Sequence, residues 1–155
     1  MSSKLTGDWK GAQKKLSELD DSLSENLKIA LLQNAEMVRT KLVQHIENQD
    51  LGWAKLDDDY LERKKRAGLS QHKLIATATL MNSITVHQVN DESAFVGVLR
   101  TAPSQGGDQV MIGSVMEYGS PARNIPARPL FGPTFKEAKP EIEERFRKAI
   151  EKSLS

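Results

Sequence analysis

Cysteine is absent from the 155 residues, which excludes a disulfide framework, a thiolate metal site and a cysteine nucleophile, and suits a reducing cytoplasm. Aromatic residues make up only 5% of the chain, so leucine, isoleucine, valine, alanine and methionine must build the core. Neither charge sign dominates: 22 Lys and Arg face 21 Asp and Glu, a formal net charge of +1. That balance lacks the sustained positive field that neutralises a nucleic-acid backbone. No run approaches the ~18 apolar residues of a membrane span, and the opening MSSKLTGDWKGAQKK lacks the apolar stretch of roughly 7–15 residues that a signal peptide needs. The expectation is a soluble, unprocessed chain with no membrane partner, folded as one domain over residues 1–155, where roughly 70% of the unfolded surface is buried. Self-association would ease the shortage of large side chains.

What is present is helical periodicity. Leu16, Leu19, Leu23, Leu27, Leu31, Ala35, Val38, Leu42 and Ile46 recur at steps of three and four, with Lys28, Glu36, Lys41 and Glu47 on the opposite face. Ser22 and Glu25 have capping-box spacing. Either residues 1–20 form a separate short helix or arm and a long helix starts after Ser22, or one bent helix runs through. The stripe packs on a sheet, or in part on a neighbouring subunit. Asp57 then caps a short basic helix closed by Gly68, in which Arg63, Lys64, Lys65 and Arg66 form the strongest basic patch of the sequence. The acids just before it, Asp57, Asp58, Asp59 and Glu62, match the helix dipole and favour a solvated face over a contact to nucleic acid.

ATATLMNSI reads as a helical turn or two. The runs at 84–89 and 94–100 cluster β-branched residues and pair as an antiparallel hairpin across Asn90, Asp91, Glu92 and Ser93. Residues 101–109, TAPSQGGDQ, form a mobile loop without an apolar anchor. Asp108 caps the next element, where Val110, Ile112, Val115 and Met116 suit a buried short helix that Gly119 stops. Phe135, Ala138, Ile142, Phe146, Ala149 and Ile150 give a last helix, which Pro140 either kinks or restarts.

Sites for chemistry are scarce. His45, His72 and His87 are scattered and none has a partner at metal-ligand spacing. No nucleophile elbow, phosphate loop or dinucleotide fingerprint occurs, and Gly106 and Gly107 lack the Lys-Ser/Thr follower of a phosphate loop. The expectation is a protein that is not an enzyme, with no catalytic residue, no metal and no cofactor.

The least generic stretch is EYGSPARNIPARPLFGPTF, residues 117–135. Its prolines remove backbone donors and push Ile125 and Arg128 toward extended conformations, so residues 119–133 should form a stiff strap. Arg123 and Arg128 then project from a backbone with little entropy left to lose, which favours docking on a neighbour. The plainer alternative is a tied-down crossover into the last helix.

MEYGSPARNIPARPLFGPTF resembles the signature of the tail-completion and virion-morphogenesis proteins of tailed bacteriophages: a Glu-aromatic-Gly step followed by Ile-Pro-Ala-Arg-Pro and an aromatic or leucine. GWAKLDDDYLERKKRAGLS is similar to the same family's Trp-containing loop and lysine-bearing helix, ATATLMNSITV to its step into the first strand, and AFVGV to the strand that follows. The likeness runs from about Gly52 to the end of the chain, with Ala78 standing where glycine is usual. It implies an α+β subunit with a long N-terminal and a C-terminal helix packed on a small antiparallel sheet. It also implies assembly with itself into a ring, a hexamer by analogy, at the neck or tail end of the virion after synthesis in the host cytoplasm. The implied partners are neck, head-closure or tail-tube proteins, with DNA only as the contents of the lumen. Glu117, Tyr118 and Gly119 would position the strap, Pro126 and Pro129 would stiffen it, and Arg123 and Arg128 would contact a neighbour or the core. The competing expectation is a small nucleic-acid-binding module using the basic helix with Arg123 and Arg128.

Overall fold

The computed structural model describes residues 7–75, 78–100 and 108–155. Its elements are α1 (Trp9–Asn48), α2 (Asp58–Arg66), a single turn α3 (Thr79–Asn82), the strands β1 (Ile84–Asn90) and β2 (Ser93–Val98), α4 (Gln109–Tyr118), a 3-10 turn (Pro121–Arg123) and α5 (Phe131–Leu154). The architecture is α+β, with two long helices packed on a two-stranded antiparallel hairpin.

α1 runs unbroken for 40 residues, about 60 Å at ~1.5 Å per residue. It does not divide at Ser22: no glycine or proline interrupts residues 12–48, and in a helix interior Ser22 is an ordinary polar residue. Residues 9–20 are therefore the first turns of α1. Asp8 caps it by accepting from the Gly11 amide at 2.9 Å, and Gln49 ends it in the left-handed conformation.

α5 lies antiparallel to α1. Asn26 donates to Ser153 at 2.9 Å at one end, Asn34 reaches the Ile142 carbonyl in the middle, and Lys41 and His45 meet Glu137 at the other end. The buried line of α5 is Thr134, Ala138 and Ala149. Phe135 and Ile150, expected in the core, are instead exposed. They follow Thr134 and Ala149 by one residue, a rotation of about 100° off the seam. α5 continues through Pro140, which removes one backbone donor and leaves the helix in place.

The core gathers Val38, Leu42 and Ile46 of α1, Ile84 of β1, Ala138 of α5, and Trp53 and Leu130 from the connecting segments. Val96 and Val98 of β2 pack against it, placing one face of the hairpin on α1. Cross-strand partners are Ile84 with Val98, Val86 with Val96 and His87 with Phe95, with a bulge between Gln88 and Asn90. The expected loop at 101–109 falls outside the described residues over 101–107. Asp108 caps α4 through two backbone amides, and Gln109 is its first, buried residue.

Candidate functional site

Gly119 ends α4 with φ +76, and a Cβ there would stand 2.9 Å from the Ala127 amide and the Ile125 carbonyl oxygen. Only glycine allows the chain to double back so closely. The strap is not extended throughout. Ser120 and Ile125 exchange both backbone hydrogen bonds, closing a small loop around the turn Pro121–Arg123 with Asn124 left-handed at its end. Residues 126–129 are irregular, and Leu130, in the right-handed helical region, leads into α5 at Phe131. Gly132 and Pro133 therefore belong to the first turn of α5, where a missing amide donor costs nothing.

The residues expected to position and stiffen the strap, or to contact a neighbour or the core from it, divide into two groups. Glu117 turns inward: its carboxylate accepts from the amides of Leu130, Phe131 and Gly132 at 2.6, 2.9 and 2.9 Å, capping α5 from the end of α4. Arg128 is also inward, at 5% exposure. Its guanidinium donates to the carbonyls of Ala54 and Lys55 at 2.9 and 2.8 Å, while its amide bonds the Met116 carbonyl. The bond of its amide to Met116 ties the strap to the end of α4 at this position. Tyr118 is 80% exposed, and Arg123, Pro126 and Pro129 are exposed as well.

Two anchors escape sequence reasoning. Trp53 is buried and its indole donates to the Pro129 carbonyl at 2.7 Å, fixing the far end of the strap. One of two tryptophans in an aromatic-poor chain was the available signal. Lys64 overturns the expected solvated face for the whole basic cluster: it is 4% exposed and donates to the carbonyls of His72 and Ile75 at 2.9 and 2.7 Å. Its spacing from Leu61 placed both on one face of α2. Burial pushes the Lys64 ammonium below the ordinary lysine value, and burial likewise lowers Arg128, offset in part by Tyr60. Arg63, Lys65 and Arg66 remain exposed. Gly68, left-handed at φ +67, closes α2, with Leu69 bonding back to the Lys64 carbonyl at 2.9 Å.

These struts hold α2 and the strap on opposite sides of an open cleft of about 1080 Å³. Leu74, Leu80, Ile112 and Met116 give it an apolar floor, and Lys55, Arg63, Lys64, Arg123 and Arg128 make the lining cationic. The one carboxylate of the lining, Asp57, is engaged as the cap of α2 through the Tyr60 amide. Among the described residues the side chains of Lys55 and Arg123 have no hydrogen-bond or ion-pair partner. The fold thus joins two basic motifs about 60 positions apart into one concave surface suited to anionic groups flanking an apolar side chain. Among the described residues there is no His, Asp and Glu cluster able to hold a metal ion, and no helix long and apolar enough to cross a membrane.

Ala78, where the resembled family favours glycine, keeps the left-handed conformation at φ +60.

A protein of Methanocaldococcus jannaschii described as uncharacterized is 25% identical over 107 residues, covering 68% of this chain and 73% of its own length. No solved structure matches. The phage virion morphogenesis family matches residues 7–151, from the first turn of α1 almost to the end of α5, and the chain belongs to that family.

Proposed function

We propose that this virion morphogenesis protein is a non-catalytic, ring-forming subunit of the phage neck or tail end, either a tail terminator or a head-tail joining component. Its proposed partners are further copies of itself and the adjoining neck, head-closure or tail-tube proteins. The observation that carries the reading is the length of α1 relative to the body it packs on. α5 accompanies α1 only as far as the contact of Ser153 with Ser22 and Asn26. Residues 9–21 run on for about 20 Å with Trp9 56% and Leu16 66% exposed. An apolar helix face that the protomer does not cover suits a subunit that completes itself by assembly. The rigid strap, with Tyr118 and Arg123 outward, offers a second preorganised surface.

Light scattering on the purified protein, alone and mixed with a tail-tube or portal-side protein of the same phage, tests this. A discrete closed oligomer in either condition is the expected result. A monomer that ignores both partners would count against the neck reading. The cationic cleft keeps a nucleic-acid role as the second reading, although Lys64 and Arg128 are committed to backbone carbonyls. It predicts duplex binding that weakens steeply with salt, and salt-insensitive or absent binding removes it.

A further inference from the structure

We propose that the cationic cleft is a receptor for an acidic segment of an adjoining protein of the assembly, a peptide whose carboxylates flank an apolar side chain. The inference deepens the assembly reading above and rests on it for the source of the segment. Its basis is charge that the fold leaves unbalanced. Lys64 and Arg128 are only 4% and 5% exposed, and buried cations are ordinarily paired with carboxylates because desolvation is costly. Here both are satisfied by carbonyl oxygens alone, those of His72 and Ile75 for Lys64 and of Ala54 and Lys55 for Arg128. The described residues include every Asp and Glu of the chain, and none of these forms an ion pair with either cation. Carbonyl dipoles meet the hydrogen-bonding needs of the two groups without cancelling their charge. The cleft therefore has two positive charges fixed in its walls, to which Lys55, Arg63 and Arg123 add three exposed ones.

Between these cations the floor is apolar, formed by Leu80, Ile112 and Met116. A phosphate backbone gains nothing from such a floor. Base stacking on single strands uses successive aromatic platforms, whereas the lining holds one aromatic ring, Tyr60, whose centroid lies 5.8 Å from the charged groups of both Arg63 and Lys64. A volume of about 1080 Å³ exceeds the needs of a single ion and matches the upper end of the roughly 300–1,000 Å³ of small-ligand pockets. A peptide that alternates acids with leucine-like side chains uses both features, its carboxylates meeting the cations while its apolar groups cover the floor. This chain supplies no such segment of its own. Asp57 caps α2, Asp91 pairs with Lys28 at 2.8 Å, and Glu141 and Glu144 pair with Arg145 and Arg147 at 3.1 and 2.7 Å. The acids in the first turns of α1 are balanced by Lys10, Lys14 and Lys15. The acidic segment thus belongs to a different protein. Because the Lys64 and Arg128 struts hold the walls in shape beforehand, the cost of ordering falls mainly on the peptide.

Fluorescence anisotropy on the full chain tests this with labelled, end-capped peptides: EELEELEE carries both features, EESEESEE the charge alone and QQLQQLQQ the apolar side chains alone. EELEELEE should bind about tenfold or more tighter than either control, with an affinity that falls as salt rises. The double variant Lys55→Glu with Arg123→Glu should lower that affinity by about tenfold or more. A matched double variant, Lys65→Glu with Arg66→Glu, makes the same charge change on α2 outside the cleft and should leave binding within about twofold. All four positions are exposed, and unchanged thermal midpoints by circular dichroism verify that both variants fold. Should the cleft variant melt early, Lys55→Gln with Arg123→Gln takes its place, with a loss in the same direction expected. Equal losses in the two double variants overturn the inference, because the attraction then follows net charge. Equal affinity for EELEELEE and EESEESEE overturns it too, since the floor then takes no part. An octathymidylate that binds tighter than any peptide and is lost in the cleft variant assigns the cleft to nucleic acid and likewise overturns the inference. Absence of peptide binding at millimolar concentration overturns the inference and leaves the ring reading standing, because light scattering reads assembly independently. Peptide binding as expected in a protein that stays monomeric with every partner would keep the receptor chemistry and remove the ring reading.

Discussion

The two ends of the α1 and α5 pair differ sharply in how they are held. At the strap end, Leu42 and Ile46 are fully buried, Glu117 caps α5, and Trp53, Lys64 and Arg128 bind backbone carbonyls across three segments. At the other end α1 continues past Ser153 with Trp9 and Leu16 exposed. Apolar spacing is the same in both halves of α1, so the difference lies in what each half meets. One end is packed within the protomer, and the other leaves Trp9 and Leu16 exposed. The cleft shows the same division on a smaller scale: Lys64 and Arg128 brace its walls, while Lys55 and Arg123 stay uncommitted at its rim.

Substitutions should sharpen this contrast, with effects that shrink from the locked end to the free one. Leu42→Ala, at a side chain with 1% exposure, is expected to cost about 2–5 kcal/mol, read from urea unfolding; a loss below about 1 kcal/mol would mean that the core is not centred there. Arg128→Ala should cost about 2–3 kcal/mol, because charge-assisted bonds to two carbonyls are lost. Arg128→Lys should restore only part of that, since an ammonium lacks the planar fork that reaches both, and full rescue would show that charge alone matters. Ala78→Gly should act in the opposite direction, stabilising by about 1 kcal/mol through relief of the left-handed strain. An unchanged melting temperature would argue against that conformation.

Acid should loosen the locked end before the free one. The hydrogen bond from His45 holds Asp50 below the ordinary carboxylate range, and Lys41, with His45 secondary, does the same for Glu137. Because both folded-state values are depressed, their stabilisation is fully present above the ordinary carboxylate range and is lost as pH falls through the lowered values. Hydrogen exchange at decreasing pH should show the junction of Asn48 with the following loop opening early, and Glu137→Gln should flatten the dependence. The smallest effect is expected at Leu16. Leu16→Ala should change protomer stability by less than about 0.5 kcal/mol, and a loss comparable with that of Leu42→Ala would show that the overhang already packs on its own chain.

Much of the fold was legible because it depends on local chemistry. Asp57 and Asp108 as caps, Gly68 and Gly119 as stops, and the hairpin across Asp91 and Glu92 all follow from preferences acting within a few residues. The continuity of α1 through Ser22 was less legible, since a capping-box pair is also compatible with a helix interior. At the candidate site, the stop at Gly119 could be read locally. The inward turns of Glu117 and Arg128 could not, because their partners lie 13 to 15 and 73 to 74 positions away.

The sequence by itself determined the type of each α-helix and strand and the absence of cysteine chemistry, because these depend on local backbone preferences and side-chain identity alone. Only the tertiary structure decided which cations brace the cleft and which face out of it, and which part of the α1 stripe stays bare. Those outcomes depend on distant carbonyls and on where α5 stops along α1. Such properties belong to the relative placement of segments and cannot be read from the periodicity of any one of them.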